Sequence, residues 1–190
     1  RASLAGRPVW LAASTHQGED AIVLAAHGAL VGRFPDLVTI IAPRHPERGA
    51  AIVALARSAG LAVSRRSVGE PLGLDDVEAA VADTIGELGA FYALSPVAFI
   101  GGSLVAHGGQ NPIEAIRRGA AVLTGPQHHN FADAYAALLR HKGALQVGDG
   151  AALAAAAAAL LGSETERAAM LKRAEMALAA LGGALPKTTA

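Results

Sequence analysis

The 190-residue chain carries 16 basic and 16 acidic residues, for a formal net charge of zero, and only 4% of it is aromatic. A general nucleic-acid binder would show a strong basic excess, and a base-stacking platform would need more rings, so both classes are excluded. The absence of cysteine removes disulfide frameworks and thiolate metal sites, and the length suits one compact domain with a sizeable core.

In chain order, short apolar runs alternate with helical patterns. The chain opens on Arg1 rather than Met, and residues 1–7 read as linker from a longer polypeptide. Residues 8–13 (PVWLAA) predict a strand and 19–31 a helix; 37–42 (LVTIIA) predict a second strand. Residues 46–59 predict a helix with Pro46 at its start and Gly60 past its end. Strands follow at 61–65 and 77–82, a helix at 84–94 and a strand at 97–100. After a Gly-rich loop come a helix at 112–118, a strand at 121–123, a helix at 131–140 and a strand at 144–147. The remainder, 150–190, is helical, with an Ala-rich helix at 151–161 and a second at 164–181. No signal peptide is visible, and the longest uncharged run, 88–113, is cut by Pro96 and by Gly101, Gly102, Gly108 and Gly109, so it is no membrane span.

Strands that are apolar throughout are buried on both faces, as in a parallel sheet covered by helices. The fold class is therefore α/β: a Rossmann-like open parallel sheet with helices on both faces. Such sheets take ligands beyond the carboxyl ends of their strands, which directs attention to four loops.

In the first loop, Ser14 or Thr15 can cap the next helix, with Glu19 in its first turn. In the second, Arg44 lies between Pro43 and Pro46 on a stiff backbone beside a helix N-terminus, a setting that suits an anion; a surface Arg in a Pro turn is the plainer reading. In the third, Asp83 or Thr84 is a good N-cap, and Gly86 would let a ligand approach the backbone. The fourth runs through Gly101, Gly102 and Ser103 to Gly108 and Gly109; its glycines would free backbone N–H groups for a phosphate or carboxylate. Asn111 fits N-cap, Pro112 N1 and Glu114 N3, with Glu114 either a capping-box partner or an acceptor for ribose hydroxyls.

Four such loops at one end of one sheet point to a nucleotide ligand. The G-x-G-x-x-G fingerprint and the Walker A motif are absent, which counts against dehydrogenases and P-loop NTPases. No H-E-x-x-H pair or G-x-S-x-G elbow occurs, and the adjacent His128 and His129 would face apart on regular structure, so no metal site or hydrolase triad is expected.

These loops resemble those of the 3-deoxy-D-manno-octulosonic acid (Kdo) transferases. Ser14-Thr15-His16-Gln17-Gly18-Glu19 resembles the family's S-T-H-x-G-E, and Pro43-Arg44-His45-Pro46-Glu47-Arg48 its P-R-H-P-x-R. Asp83 to Leu88 is similar to D-T-x-G-E-L, with Ile85 replacing the more usual Met. Gly101-Gly102-Ser103, then Gly108 to Glu114, resemble G-G-S and G-G-x-N-P-L-E, and Asn130-Phe131 a downstream N-F.

The resemblance implies the C-terminal half of a two-domain GT-B glycosyltransferase, with residues 8–190 as the nucleotide-sugar domain and the acceptor domain absent. It implies CMP-Kdo as donor, a lipid A precursor as acceptor and no cofactor. Pro43, Arg44, Ile85, Gly86, Glu87, Asn111, Pro112, Ile113 and Glu114 would hold the nucleotide, Arg44 stabilising the leaving phosphate. Ser14, Gly101, Gly102 and Ser103 would be further donor contacts. The base and the membrane-associating segment would lie in the other half, placing the whole protein at the cytoplasmic face of the bacterial inner membrane and leaving this domain soluble. Another GT-B transferase or an epimerase using a UDP-sugar, and a stand-alone nucleotide-binding module, stay open as alternatives.

Overall fold

A computed structural model describes residues 4, 6–73 and 76–184. Seven strands form one sheet: β1 (Val9–Thr15), β2 (Val38–Pro43), β3 (Val63–Arg65), β4 (Ala79–Val81), β5 (Val97–Ile100), β6 (Ala121–Thr124) and β7 (Ala144–Gln146). Their spatial order is β3-β4-β2-β1-β5-β6-β7, and every pairing is parallel. The helices are α1 (Glu19–Leu30), α2 (Gly49–Ser58), α3 (Leu88–Leu94), α4 (Ile113–Arg117), α5 (Ala132–Arg140), α6 (Gly150–Leu161) and α7 (Glu164–Ala184).

The sheet is buried on both sides because its strands carry apolar side chains at odd and even positions alike. From β1, Trp10 and Ala12 enter one core with Val23 and Leu24 of α1, Ile52 of α2 and Leu153 of α6. Val9, Leu11 and Ala13 enter the other, with Phe91 and Tyr92 of α3, Ile116 of α4 and Leu138 of α5. Helix α7 supplies Met170 to the first core and Ala174 and Ala177 to the second, so it wraps the sheet. Of the leading segment, Leu4 is buried, and Arg7 donates to the carbonyls of Asp36 and Val77.

Three boundaries depart from the sequence reading, each for a local reason. The helix expected at 84–94 starts at Leu88, because Gly86 adopts φ +84° and breaks the helical path. The helix expected from Pro46 is a short 3₁₀ turn, Pro46–Arg48, before α2. Helix α4 begins at Ile113, with Pro112 rather than Asn111 at its N-cap; Asn111 Oδ1 accepts from the Ile113 N–H at 3.0 Å.

Beneath the central strands lies a polar chain. Trp10 Nε1 donates to Thr39 Oγ1 at 2.6 Å, and that hydroxyl stands 2.8 Å from His27 Nδ1. An indole N–H can only donate, so Thr39 accepts from Trp10, while the direction of its bond with His27 Nδ1 follows the ring tautomer. The other ring nitrogen, His27 Nε2, is buried with no partner among the described residues. Burial pulls the His27 pKa below its ordinary value of 6.5, against an opposing pull from Glu78. The sign of the linkage follows: below that value the unfolded chain takes up a proton that the folded chain refuses. Stability should therefore be full above 6.5 and fall as the pH drops below it. The urea midpoint should decline from about pH 7 to about pH 5, and decline less in His27→Gln; equal slopes in the two proteins would remove His27 from the account.

Candidate functional site

The site grows from the carboxyl ends of the central strands, and one buried carboxylate arranges it. Glu19 is fully buried at the start of α1. Its carboxylate accepts from the N–H groups of His16 (2.9 Å), Gly102 (2.7 Å), Ser103 (3.0 Å) and Leu104 (3.0 Å). This corrects two expectations. Neither Ser14 nor Thr15 caps α1: Gly18 holds that position without a side-chain bond, and Thr15 Oγ1 donates to Asp20 at 2.7 Å. Nor are the Gly-loop amides free for a ligand phosphate. Glu19 fills that cradle, Gly101 N donates to the Ala13 carbonyl, and Gly109 N donates to that of Gly102.

With that cradle closed, the open space lies beside it. A cleft of about 400 Å³ is lined by Ser14, Pro43, Arg44, Pro46, Thr84, Ile85, Gly86, Leu88, Phe91 and Gln110 among others. A larger groove of about 560 Å³, between α4 and α7, is lined by Ile113, Ile116 and Leu178 and touches no strand-end loop. The loop chemistry makes the smaller cleft the candidate site.

The two arginines of the second loop have different fates. Arg48 is tied down, donating to the Thr15 carbonyl at 2.8 Å and pairing with Asp20. Arg44 is exposed, and its guanidinium has no hydrogen-bond or ion-pair partner among the described residues. A cation without a partner at the mouth of a cleft is available to an anion.

The third loop is braced from behind. Asp83 accepts from Arg65 Nε (2.6 Å), Ser67 N (3.0 Å) and Ser67 Oγ (2.8 Å), which is why it does not cap α3. Burial pushes the Asp83 carboxyl up, but the bonds from Arg65 and Ser67 outweigh it and hold the carboxyl below its usual range. A side chain at Gly49 would collide with Asp83, so glycine is needed there. Glu87 accepts from Arg66 Nη2 at 2.9 Å and from Thr84 Oγ1 at 2.6 Å, and these bonds lower its pKa. It fastens the turn rather than facing the cleft. Ile85, at the tip, is 88% exposed on the cleft lip.

The structure thus brings Ser14, Pro43, Arg44, Ile85 and Gly86 into one cleft, and leaves Gly101, Gly102, Ser103, Asn111, Pro112, Ile113, Glu114 and Glu87 outside its lining. Ile113 lies in the α4–α7 groove. Glu114 is exposed and makes no capping-box bond; its carboxylate stands over Gly89, where an added Cβ would come within 2.8 Å of it.

Sequence reasoning missed Gln110, which lines the cleft, and the imidazole cluster behind it. The His16 and His107 rings stack with centroids 3.6 Å apart, and His45 meets His16 edge-on at 5.9 Å. Burial, then the neighbouring His107, His45, Arg48 and Arg44, push the His16 pKa down to about 4, so the ring is neutral near pH 7. Gln110 occupies the unspecified position of G-G-x-N-P-L-E, which gave no signal, and contacts between distant histidines leave no spacing pattern.

No protein-family model matches the chain. Among curated proteins, it is 41% identical over 162 residues to the 3-deoxy-D-manno-octulosonic acid transferase of Haemophilus influenzae, covering 85% of this chain and 38% of that protein. It is 38% identical over 190 residues to that of Bordetella pertussis, covering 98% of this chain and 44% of that protein. The chain therefore spans less than half the length of these relatives. Among solved structures, the C-terminal CMP-Kdo binding domain of WaaA from Acinetobacter baumannii superposes with a TM-score of 0.88 at 30% identity, over 92% of this chain and 91% of that one. The C-terminal domain of a glycosyl transferase group 1 family protein from Francisella tularensis shares the fold alone, with a TM-score of 0.61 at 12% identity over 92% of this chain and 85% of that one. The seven-stranded parallel sheet is that of GT-B C-terminal domains.

Glu19→Gln should destabilise the chain by about 3 kcal/mol, because an amide NH₂ would face N–H groups that now share a carboxylate. Urea unfolding measures this; a loss under about 1 kcal/mol would mean that the carboxylate is not what joins the two loops.

Proposed function

Because the chain belongs to the Kdo transferase family, we propose that it is the family's nucleotide-sugar domain and that its strand-end cleft holds the CMP part of CMP-Kdo. The unpaired Arg44 guanidinium at the cleft mouth carries the reading. Departure of CMP leaves negative charge on a phosphate, and a cation carried on the stiff Pro43–Pro46 backbone stabilises that charge as it develops. With the Gly-loop amides of Gly102 and Ser103 committed to Glu19, Arg44 is the cation that the cleft lining offers the phosphate. The exposed Ile85, with Leu88 and Phe91 behind it, supplies an apolar wall for the base.

Glu114 serves the ribose in this reading. An exposed carboxylate that caps nothing, beside the first turn of α3, is free to accept from sugar hydroxyls. The complete protein transfers Kdo to a lipid A precursor at the cytoplasmic face of the inner membrane. Its base, acceptor site and membrane-associating segment belong to a separate N-terminal domain. Support comes from the coverage of only 38% and 44% of the two relatives. None of the helices, among the described residues, is long and apolar enough to cross a membrane.

Arg44→Ala should lose a charge-assisted bond of about 1.5–3 kcal/mol, weakening CMP binding about tenfold or more in calorimetry, with the fold intact. CMP should also bind more tightly than UDP; equal affinities would move the chain to another nucleotide-sugar class. Glu114→Gln should lower CMP affinity without lowering the melting temperature, whereas a loss of stability alone would return Glu114 to a structural role. Mixed with CMP-Kdo and a lipid A precursor, the 190-residue chain should bind donor and form no product. Product above a no-enzyme control would place the base within it.

A further inference from the structure

The cleft lining is chemically mixed. Ile85, Leu88 and Phe91 contribute apolar residues to it, and Ser14 and Gln110 contribute polar ones. Gln110 is held unusually firmly for a partly exposed residue. Its backbone carbonyl accepts from the buried Tyr135 hydroxyl at 2.9 Å, and the preceding Gly109 N–H donates to the Gly102 carbonyl at 2.7 Å. Asn130 Nδ2 braces the same loop by donating to the His107 carbonyl at 3.1 Å.

The Gln110 side chain is fixed as well. Its Nε2 stands 3.2 Å from His16 Nε2. One of two facing nitrogens must donate and the other accept, and the Gln110 amide nitrogen can only donate. His16 Nε2 is therefore the acceptor, which requires a neutral ring carrying its proton on Nδ1. The stacked His107, the edge of His45 and the two nearby arginines all disfavour a charged His16 ring. With the NH₂ committed to His16, Gln110 Oε1 is left with no protein partner among the described residues.

Ser14 stands in the same lining through a separate device. Thr15 pairs with Pro43 and Ala13 with Ala42, so Ser14 is an extra residue bulged out of β1, at φ +54°. Its carbonyl occupies the space where a Gly101 side chain would be, 2.6 Å from an added Cβ. Bulges of this kind re-aim a side chain next to a site.

Resting on the donor-cleft reading above, we propose that Gln110 is a specificity-determining residue that reads the transferred sugar, its Oε1 held as a fixed acceptor for a sugar hydroxyl by the His16–His107 stack. His16 does not touch the sugar; it positions Gln110. The nucleotide lies towards Arg44 and Ile85, so the contact should be absent from CMP alone.

The test compares CMP with CMP-Kdo by calorimetry on the 190-residue chain and on Gln110→Met, which keeps the side chain's length and removes its acceptor. Expected is CMP affinity within about twofold of the parent and CMP-Kdo affinity about threefold to tenfold weaker, the loss of one neutral hydrogen bond. Gln110→Ala should give the same ratio, and thermal melts of both variants should match the parent. In parallel, nitrogen-15 NMR of the parent should find His16 protonated on Nδ1. No change with either ligand, an equal loss with both, or a His16 ring protonated on Nε2 would each overturn the proposal. A parent chain that binds neither CMP nor CMP-Kdo would overturn the donor-cleft reading itself and this inference with it.

Discussion

The Glu19 carboxylate is the constraint on which the site depends. It sits at the N-terminal end of α1, where the helix dipole favours negative charge. It gathers backbone N–H groups from two loops that follow adjacent strands, β1 and β5. A strand-end Gly loop with free amides is a ready anion cradle. Here the protein supplies its own anion, permanently. The cradle is converted from a ligand site into a joint, and the cleft is displaced towards β2 and β4, where Arg44 and the Thr84–Glu87 turn form the walls.

The same logic runs through the other walls. Three arginines of the loops around the cleft are held by carboxylates, while Arg44 at the cleft mouth has no partner among the described residues. Asp20 holds Arg48, Asp83 holds Arg65, and Glu87 holds Arg66. These pairs differ in setting: Asp83 is buried and its bonds fix the backbone of Ser67, whereas the Arg66–Glu87 pair is half exposed and contributes little to stability. What they share is that they leave Arg44 unneutralised. A chain with zero net charge thereby presents a local positive site.

The fold was legible because it rests on patterns that survive in one dimension. All seven strands lie where the sequence predicted them: the inner five are buried on both faces and therefore nearly all apolar, while the edge strands β3 (Val-Ser-Arg) and β7 (Ala-Leu-Gln) are short and partly polar. Arg44 was legible for a similar reason, because its neighbours Pro43 and Pro46 are adjacent in sequence. What failed were readings that needed a side chain's partner. Asp83 and Asn111 looked like local caps and Glu19 like an ordinary first-turn residue, since those are the commonest uses of such residues at a helix start. In space Glu19 and Asp83 found better partners, 83–85 and 16–18 residues away, among groups no local pattern connects to them. Gln110 was invisible because its role comes from a ring 94 positions earlier.

The sheet order has a consequence for how the chain is made. Strand β1 is central, yet one of its neighbours, β5, is paired through Leu11 with Ala98. During synthesis the first four strands leave the ribosome with one long edge of β1 unpaired and with Glu19 lacking three of its four donors. Such an edge is a template for wrong partners until β5 arrives. Contacts this distant in sequence also slow folding, since the intervening loop must close before they reward it. Arrival of residues 97–104 therefore gives β1 its second neighbour and locks the first loop in one event, with β6 and β7 still to be added. Until that moment the chain exposes an edge of β1 and lacks both the amides that fix Glu19 and the Gln110 wall of the cleft, so a product truncated before β5 would be a sticky half-sheet with its first loop unfixed.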